Sequence, residues 1–411
     1  MASQWTRRLP CTRDGSPSNA ARLIVTAVSW LPVAESFLAK GDAFQYRAIP
    51  LFRWTFRTLV APYVNSPAHR HQSPPRIGVL LVNTGTPEAP TPTAVRRFLA
   101  EMLSDPRLVE LPRSLWLPIL HSVILPLRPR RSAHAYQKIW TPEGSPQLVI
   151  LRQLARELQV ALADALAELA GVEIGMCYGQ PSIPTALASL RDSGAQRVIV
   201  LPLFPQYAGV TTASAFDRVT AELRRWRWVP EIRFVNEYHA SPGYIDALRA
   251  SVLEHWRSHG RAEHLLMTFH SMPVRCFENG DPYHSQCQNT ARLLAQALGL
   301  GEREWSVGFQ SRFGFEEWLQ PYTDELVRRH AAGGMRRLDA ICPGFAVDCL
   351  ESLEEIAIRA RDTFAAHGGD ALRYIPALND RAEHVRFLAG LIESHAGVGA
   401  SGASGTVRAT A

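Results

Sequence analysis

The chain has 411 residues, 46% of them hydrophobic and 20% charged, a composition ordinary for a soluble globular protein and long enough for one large α/β unit or two lobes. The net charge of +6 favours anionic surfaces or ligands, but no Lys/Arg run is interleaved with aromatics, so nucleic acid is not an expected partner. The six cysteines (Cys11, Cys177, Cys276, Cys287, Cys342, Cys349) include no CxxC pair, which argues against a zinc ribbon, a closely spaced iron–sulfur motif or a disulfide scaffold and fits a reducing compartment.

Residues 1–72 read as a poorly ordered extension. Their longest apolar stretch, Leu23 to Ala34, contains Pro32 and is shorter than the ~20 residues that a membrane span needs. From Ile77 the pattern becomes regular. Ile77 to Asn83 is a short apolar run ending in TGTP, which predicts a buried parallel strand and a turn, and Pro92 to Leu103 follows with helical spacing. The proline-broken segment Leu111 to Leu127 is too interrupted for a strand; it suggests either a lip over a cleft or plain packing. A long helix is expected from Leu148 to Leu169.

Strand and helix then alternate. Strands are expected at Glu173 to Gly179, Arg197 to Pro205 and Glu231 to His239, with Ser241 as N-cap and Pro242 opening the next helix. A second series has strands at His264 to His270, Trp305 to Arg312, Arg337 to Gly344 and Leu372 to Pro376, each followed by a helix. The tail Gly397 to Ala411 is Gly/Ser/Ala-rich and expected to be disordered. This repetition predicts an α/β protein of two similar doubly wound lobes with parallel sheets, residues 73–240 and 241–396, and ligands in a crevice at the strands' carboxyl ends.

His270, Gln310 to Arg312, Cys342 to Phe345 and Leu203 to Tyr207 all fall at such ends. An imidazole there is either a satisfied core residue or a group that exchanges protons near neutral pH and ligates a borderline metal. Asp348 and Glu351 have the spacing of a capping box, a complete structural explanation for Glu351. The other reading starts from Glu355, one helical turn on, because two carboxylates on one face near a histidine suit a hard cation and the protons it displaces. Arg128 and Arg131 lie three apart, so they form either a solvated basic face or a pair for ligand carboxylates. Phosphate-loop and dinucleotide motifs are absent, so no nucleotide cofactor is implied.

Read together and in order, VLLVNTGTPEAPTP, LSDPRLVELP, LPLRPRRSAHAYQKIWTPEGSP, YGQPSI, LPLFPQY, TFHSMP, GDPY, FQSRFG, WLQPYTDE, CPGFAVDCLESLEEI and YIPALND resemble the ferrochelatases of the proteobacterial type. The likeness runs from residue 77 to about 395. It implies a chelatase-like pair of lobes with a porphyrin cleft between them, and insertion of Fe²⁺ into protoporphyrin IX to form protohaem, the last step of haem biosynthesis. Iron enters as substrate, with no organic cofactor and no iron–sulfur cluster expected. The resemblance places His270 and Glu351 as catalytic and metal-meeting residues on opposite sides of the macrocycle. Glu355 continues an acidic path for protons or metal, and Arg128, Arg131, Tyr136, Ser311 and Tyr207 face the porphyrin. A cytoplasmic enzyme is expected; peripheral contact with a membrane and the oligomeric state are left open. The alternative is a diverged porphyrin-binding carrier that does not metallate. This chain departs from the family pattern at Thr84, Cys177, Gln180, Phe204, Ala208, Val210, Ser271, Met272 and Glu317.

Overall fold

In the computed structural model the described residues are 63–64, 76–166, 168–314 and 316–397. The expected extension over 1–72, apart from Tyr63 and Val64, and the tail beyond Gly397 lie outside them. Val64 is bonded to the core, its N–H donating to the Arg225 carbonyl at 2.8 Å beside a bridge to Trp226.

Two four-stranded parallel sheets organise the chain. The first contains β1 (Arg76–Gly85), β2 (Leu169–Tyr178), β3 (Ala195–Pro202) and β4 (Glu231–Phe234) in the order β2-β1-β3-β4. The second contains β5 (His264–His270), β6 (Trp305–Gln310), β7 (Arg337–Ile341) and β8 (Ala371–Ile375) in the order β6-β5-β7-β8. Counted from its own first strand, each sheet has the same winding. In both, the chain steps to one side of the first strand and then crosses to the other, which opens a crevice at the carboxyl ends of the two strands flanking the reversal. Those ends are β1 and β3 in one lobe, β5 and β7 in the other. His270 terminates β5, so the fold itself puts it at a crevice.

Helices cover both faces. On the first sheet, α1 (Pro92–Leu103), α3 (Leu125–Ile139), α5 (Ile183–Asp192) and α6 (Ser214–Leu223) enclose one apolar core with Leu80, Val82, Val198 and Val200. The opposite face of that sheet shares a second core with the second sheet, in which Val79 and Leu81 meet residues of α4 (Pro146–Ala163), α7 (Pro242–His259), α9 (Tyr283–Leu298) and α12 (Ala382–Ala396). Helix α12 returns to the first lobe and packs on α4 and β3, with Arg197 donating to the Ala396 carbonyl at 3.0 Å. The lobes therefore share a core. A third cluster fills the outer face of the second sheet around α10 (Thr323–Ala332) and α11 (Arg361–Ala366).

Several expectations are corrected. The helix expected to reach Leu169 stops at Ala163, because Leu169 is claimed by pairing with Ile77 of β1. The edge strand β4 ends at Phe234 rather than His239. Ser241 does stand at the start of α7, but no side-chain hydrogen bond caps the helix there. The proline-broken segment is helical from Arg113 on: α2 (Arg113–Ile119) passes through a π-helical stretch, Leu120–Ile124, into α3. Pro118, Pro126 and Pro129 lack N–H donors, and a wider turn absorbs the resulting gaps in the hydrogen-bond ladder. A second π-helical stretch, Glu351–Ala360, begins where an α-helix was expected. Among the described residues, no helix is long and apolar enough to cross a membrane.

Candidate active site

His270 is half-buried, and its Nδ1 lies 2.5 Å from the Ser271 carbonyl. A carbonyl can only accept, so Nδ1 carries the proton and the Nε2 lone pair is left free. The loop behind it is stapled down. Ser271 N–H donates to the Gln310 carbonyl at 2.7 Å, Ser271 Oγ to the Leu319 carbonyl at 3.0 Å, and Val274 N–H to the Glu317 carbonyl at 2.9 Å. Three departures from the family pattern are thereby explained as packing. The Ser271 hydroxyl is buried and satisfied, Met272 belongs to the shared core, and Glu317 uses its backbone.

Glu351 opens the second π-helical stretch. The capping-box expectation fails here: the Asp348 N–H donates to Asn379 Oδ1 at 2.8 Å, so Glu351 does not reach back to it. Ser352 ties down the Asp348 carboxylate instead. Its Oγ donates to Asp348 Oδ1 at 2.7 Å and accepts from the Cys349 N–H at 3.0 Å. Glu351 is freed for other contacts, and its carbonyl is pinned by Gln310 Nε2 at 2.9 Å, with Thr268 Oγ1 holding the other end of the carboxamide at 2.8 Å. Burial drives the Cys349 thiol well up, and the Glu351 charge beside it adds to this.

Glu355 stands four residues on, nearly in line with Glu351 in an i→i+5 helix. Its Oε2 accepts from Ser311 Oγ at 2.6 Å. Burial raises its pKa, Ser311 works against this, and the Glu351 charge raises it again; Arg359 and His270 oppose. His270, Glu351, Glu355 and Ser311 thus form one electrostatic unit. Ser311 adopts a positive φ of 69°, a left-handed backbone at the very point where β6 meets the site.

The other lobe contributes α3. Arg128 is half-buried; burial lowers its pKa, with Glu351 and Glu355 raising it and Arg131 lowering it further. Its guanidinium lies 5.3 Å from the Phe313 ring centroid. Arg131 is exposed one turn on. The Tyr136 phenol is fully enclosed and driven well up, by burial first and then by the Glu351 charge, with Thr86 as hydrogen-bond partner. Thr86 in turn meets Ser145 at 2.8 Å.

Two expected residues stand apart. Tyr207 lines a separate cavity of about 250 Å³ with Arg107, Cys276 and Asp281, and its N–H donates to Gln286 Oε1 at 2.7 Å. Arg312, expected to present its guanidinium at the strand end, stacks on Tyr322 at 3.8 Å and pairs with Asp324 and Glu325. Residue-type reasoning missed Lys138, Glu354 and Arg359. Glu354 is nearly buried and bonds Lys138 Nζ of α3 at 2.9 Å and Arg359 of its own helix at 2.5 Å, joining the lobes beside the site. The acidic run Glu351, Glu354 and Glu355 followed by Arg359 and Arg361 is the trace that the sequence carries of this.

Among the described residues, no three His, Cys, Asp or Glu side chains converge as a preformed metal cage. What the arrangement offers is an imidazole with a free nitrogen, two carboxylates in line, and cations of α3 close by.

The family model described as Ferrochelatase matches residues 76–396. A ferrochelatase of Nitrosococcus oceani is 54% identical over 327 residues, covering 80% of this chain and 89% of its own. Ferrochelatase 1 of Shewanella oneidensis is 51% identical over 319 residues, covering 78% and 96%. Among solved structures, SirB from Bacillus subtilis with Fe³⁺ matches with a TM-score of 0.47 and 12% identity over 79% of this chain and 97% of that one; at that distance it carries no argument.

Proposed function

The chain belongs to the ferrochelatase family, whose reaction inserts Fe²⁺ into protoporphyrin IX to give protohaem, and from that premise we propose how its own residues carry the reaction. Two pyrrole N–H protons must leave as the metal enters, so the reaction yields haem and two protons. Nε2 of His270, left with its lone pair by the Ser271 contact, accepts the first proton from the macrocycle's centre. Glu351 meets the incoming ferrous ion from the other side and takes the second proton, which Glu355 passes along the same helical edge to the water beyond Ser311, while His270 gives the first back to solvent. A carboxyl whose pKa burial has raised holds a proton more readily than one in water, which is the state of Glu355.

The observation that carries this reading is the free Nε2 within the same electrostatic unit as Glu351 and Glu355. Arg128 and Arg131 supply cations for the propionates, and Tyr136 fixes the floor of the cleft beside Glu351. Tyr207, in its separate cavity, takes no part in this proposal. The experiment is anaerobic metallation of protoporphyrin IX by Fe²⁺, followed by loss of free-porphyrin fluorescence, for the native chain and Glu351→Gln. The account expects rapid metallation that falls by roughly 100-fold or more in the variant. A native chain that binds porphyrin without metallating it would make it a carrier.

The lip carries a second part of the proposal. Leu111, Leu115, Ile119, Val123 and Leu127 recur every four residues and are all exposed, Leu127 at 71%. Arg113, Arg130 and Arg131 flank them. An apolar edge bordered by cations fits the interface of an anionic bilayer, where an amphiphilic porphyrin partitions. The enzyme would take its substrate there as a peripheral protein.

A further inference from the structure

A cavity of about 300 Å³ lies on the second lobe, behind the carboxylate edge. Its walls come from the end of β6, from α10 and from the outer part of the π-helical stretch; neither His270 nor Glu351 lines it, and no residue of the first lobe does. Glu355 and Ser311 do line it, so the carboxylate edge is approached from this side without passing between the lobes. Three guanidiniums, Arg312, Arg328 and Arg359, line it against two carboxylates, Asp324 and Glu355. Arg328 lies 3.0 Å and Arg312 3.6 Å from Asp324. Arg359 stands against Glu355, 3.6 Å from Oε1, while its 2.5 Å contact with Glu354 holds it in place. Glu351, Glu355 and Arg359 are spaced by four, so one edge of the helix runs carboxylate, carboxylate, guanidinium.

We infer that Arg359 closes this cavity to metal: a tethered cation on the outer flank of Glu355, it leaves the opening wet but denies divalent ions an approach to the carboxylate edge from outside the cleft. A guanidinium cannot be neutralised by losing a proton. An ion entering from this side must displace Arg359, and that breaks its bond to the nearly buried Glu354. Water and the protons leaving Glu355 meet no such barrier. The metal is thereby directed to the cleft, where the porphyrin already lies. The inference rests on reading Glu351 and Glu355 as the edge that serves metallation.

The test is steady-state metallation by Fe²⁺ across metal and porphyrin concentrations for Arg359→Gln and Arg359→Lys. The Gln variant should lower the KM for metal by roughly tenfold, the lower end of what a charge of one sign does to local ion concentration. Its KM for porphyrin should stay unchanged, and the Lys variant should keep the native metal KM. A native metal KM in an active Gln variant overturns the inference, as does a Lys variant that behaves like Gln. A second measurement needs no change at Arg359: Mn²⁺ titration followed by electron paramagnetic resonance in porphyrin-free native chain, Glu355→Gln and Glu351→Gln. Equal numbers of bound Mn²⁺ support exclusion, whereas an ion lost in Glu355→Gln but kept in Glu351→Gln, and so held from the cavity side, refutes it. Failure of the native chain to metallate would sink the reading of the edge itself, a result distinct from either.

Discussion

Replacing Glu354 with glutamine keeps the shape of the side chain and removes the charge that two cations share. Its side chain is 5% exposed, and it accepts from Lys138 at 2.9 Å and Arg359 at 2.5 Å. Charge-assisted hydrogen bonds contribute about 1.5–3 kcal/mol each. Lys138 and Arg359 are 39% and 56% exposed, however, and can return to water when the carboxylate is gone. Discounting for that solvation leaves a loss of about 2 kcal/mol. In a chain of this size the melting temperature should fall by about 2 °C. The sign of the pH dependence follows from the carboxyl's environment. Burial alone would raise its pKa, but the hydrogen bonds from Arg359 and Lys138 outweigh burial and hold it below its ordinary value. A depressed folded-state pKa contributes stability that is full above the unfolded value of about 4.3 and is lost as pH falls through the folded value. Scanning calorimetry of both proteins from pH 7 downward should therefore show a gap that closes below about pH 4. Equal melting at pH 7, or a gap undiminished in acid, would refute the reasoning.

Three further outcomes are expected. Ser311 pays for a left-handed φ of 69° that costs a non-glycine residue about 1–2 kcal/mol, so Ser311→Gly should be more stable than Ser311→Ala by about 1 kcal/mol in urea unfolding, and equal stability would contradict this. His384 is fully buried, and burial lowers its pKa to about 4. Its neutral form thus contributes stability that is complete above the unfolded value of about 6.5 and is lost between there and about pH 4; His384→Gln should flatten the acid slope by about 1.4 kcal/mol per pH unit, which urea midpoints measured over that range will show or deny. Leu115→Ser with Leu127→Ser should abolish sedimentation with anionic phospholipid vesicles while leaving metallation of detergent-solubilised porphyrin intact; unchanged sedimentation would remove the lip from the membrane account.

What the sequence made legible was whatever depends on local pattern. β5 was expected at His264 to His270 and occupies those residues, because an unbroken apolar run can only be satisfied by burial on both faces. Helix α1 likewise matches Pro92 to Leu103, its start marked by Thr91 and Pro92. The π-helical turns were illegible. Their hydrogen-bond register follows from how Gln310 pins the Glu351 carbonyl and how prolines in the lip interrupt the ladder, and both are tertiary facts. The capping-box pattern misled for a related reason: Asn379, distant in the chain, takes the Asp348 N–H that Glu351 would have capped. Long-range charge was equally hidden, since nothing near Lys138 announces a partner in the other lobe. The site's proximity relations follow from the doubled winding, which was legible. The aim of single side chains, such as the turning away of Arg312, was not.

The account's central claim is that His270 takes the pyrrole proton. The most direct measurement is single-turnover metallation of bound protoporphyrin IX by Fe²⁺, without oxygen, in the native chain and His270→Ala, with porphyrin affinity measured by fluorescence titration in the same samples. The account predicts porphyrin binding within about threefold of native, since the imidazole's role lies in the transition state, and a metallation rate lower by roughly 100-fold or more. Metallation at the native rate in His270→Ala, with binding intact, would contradict it.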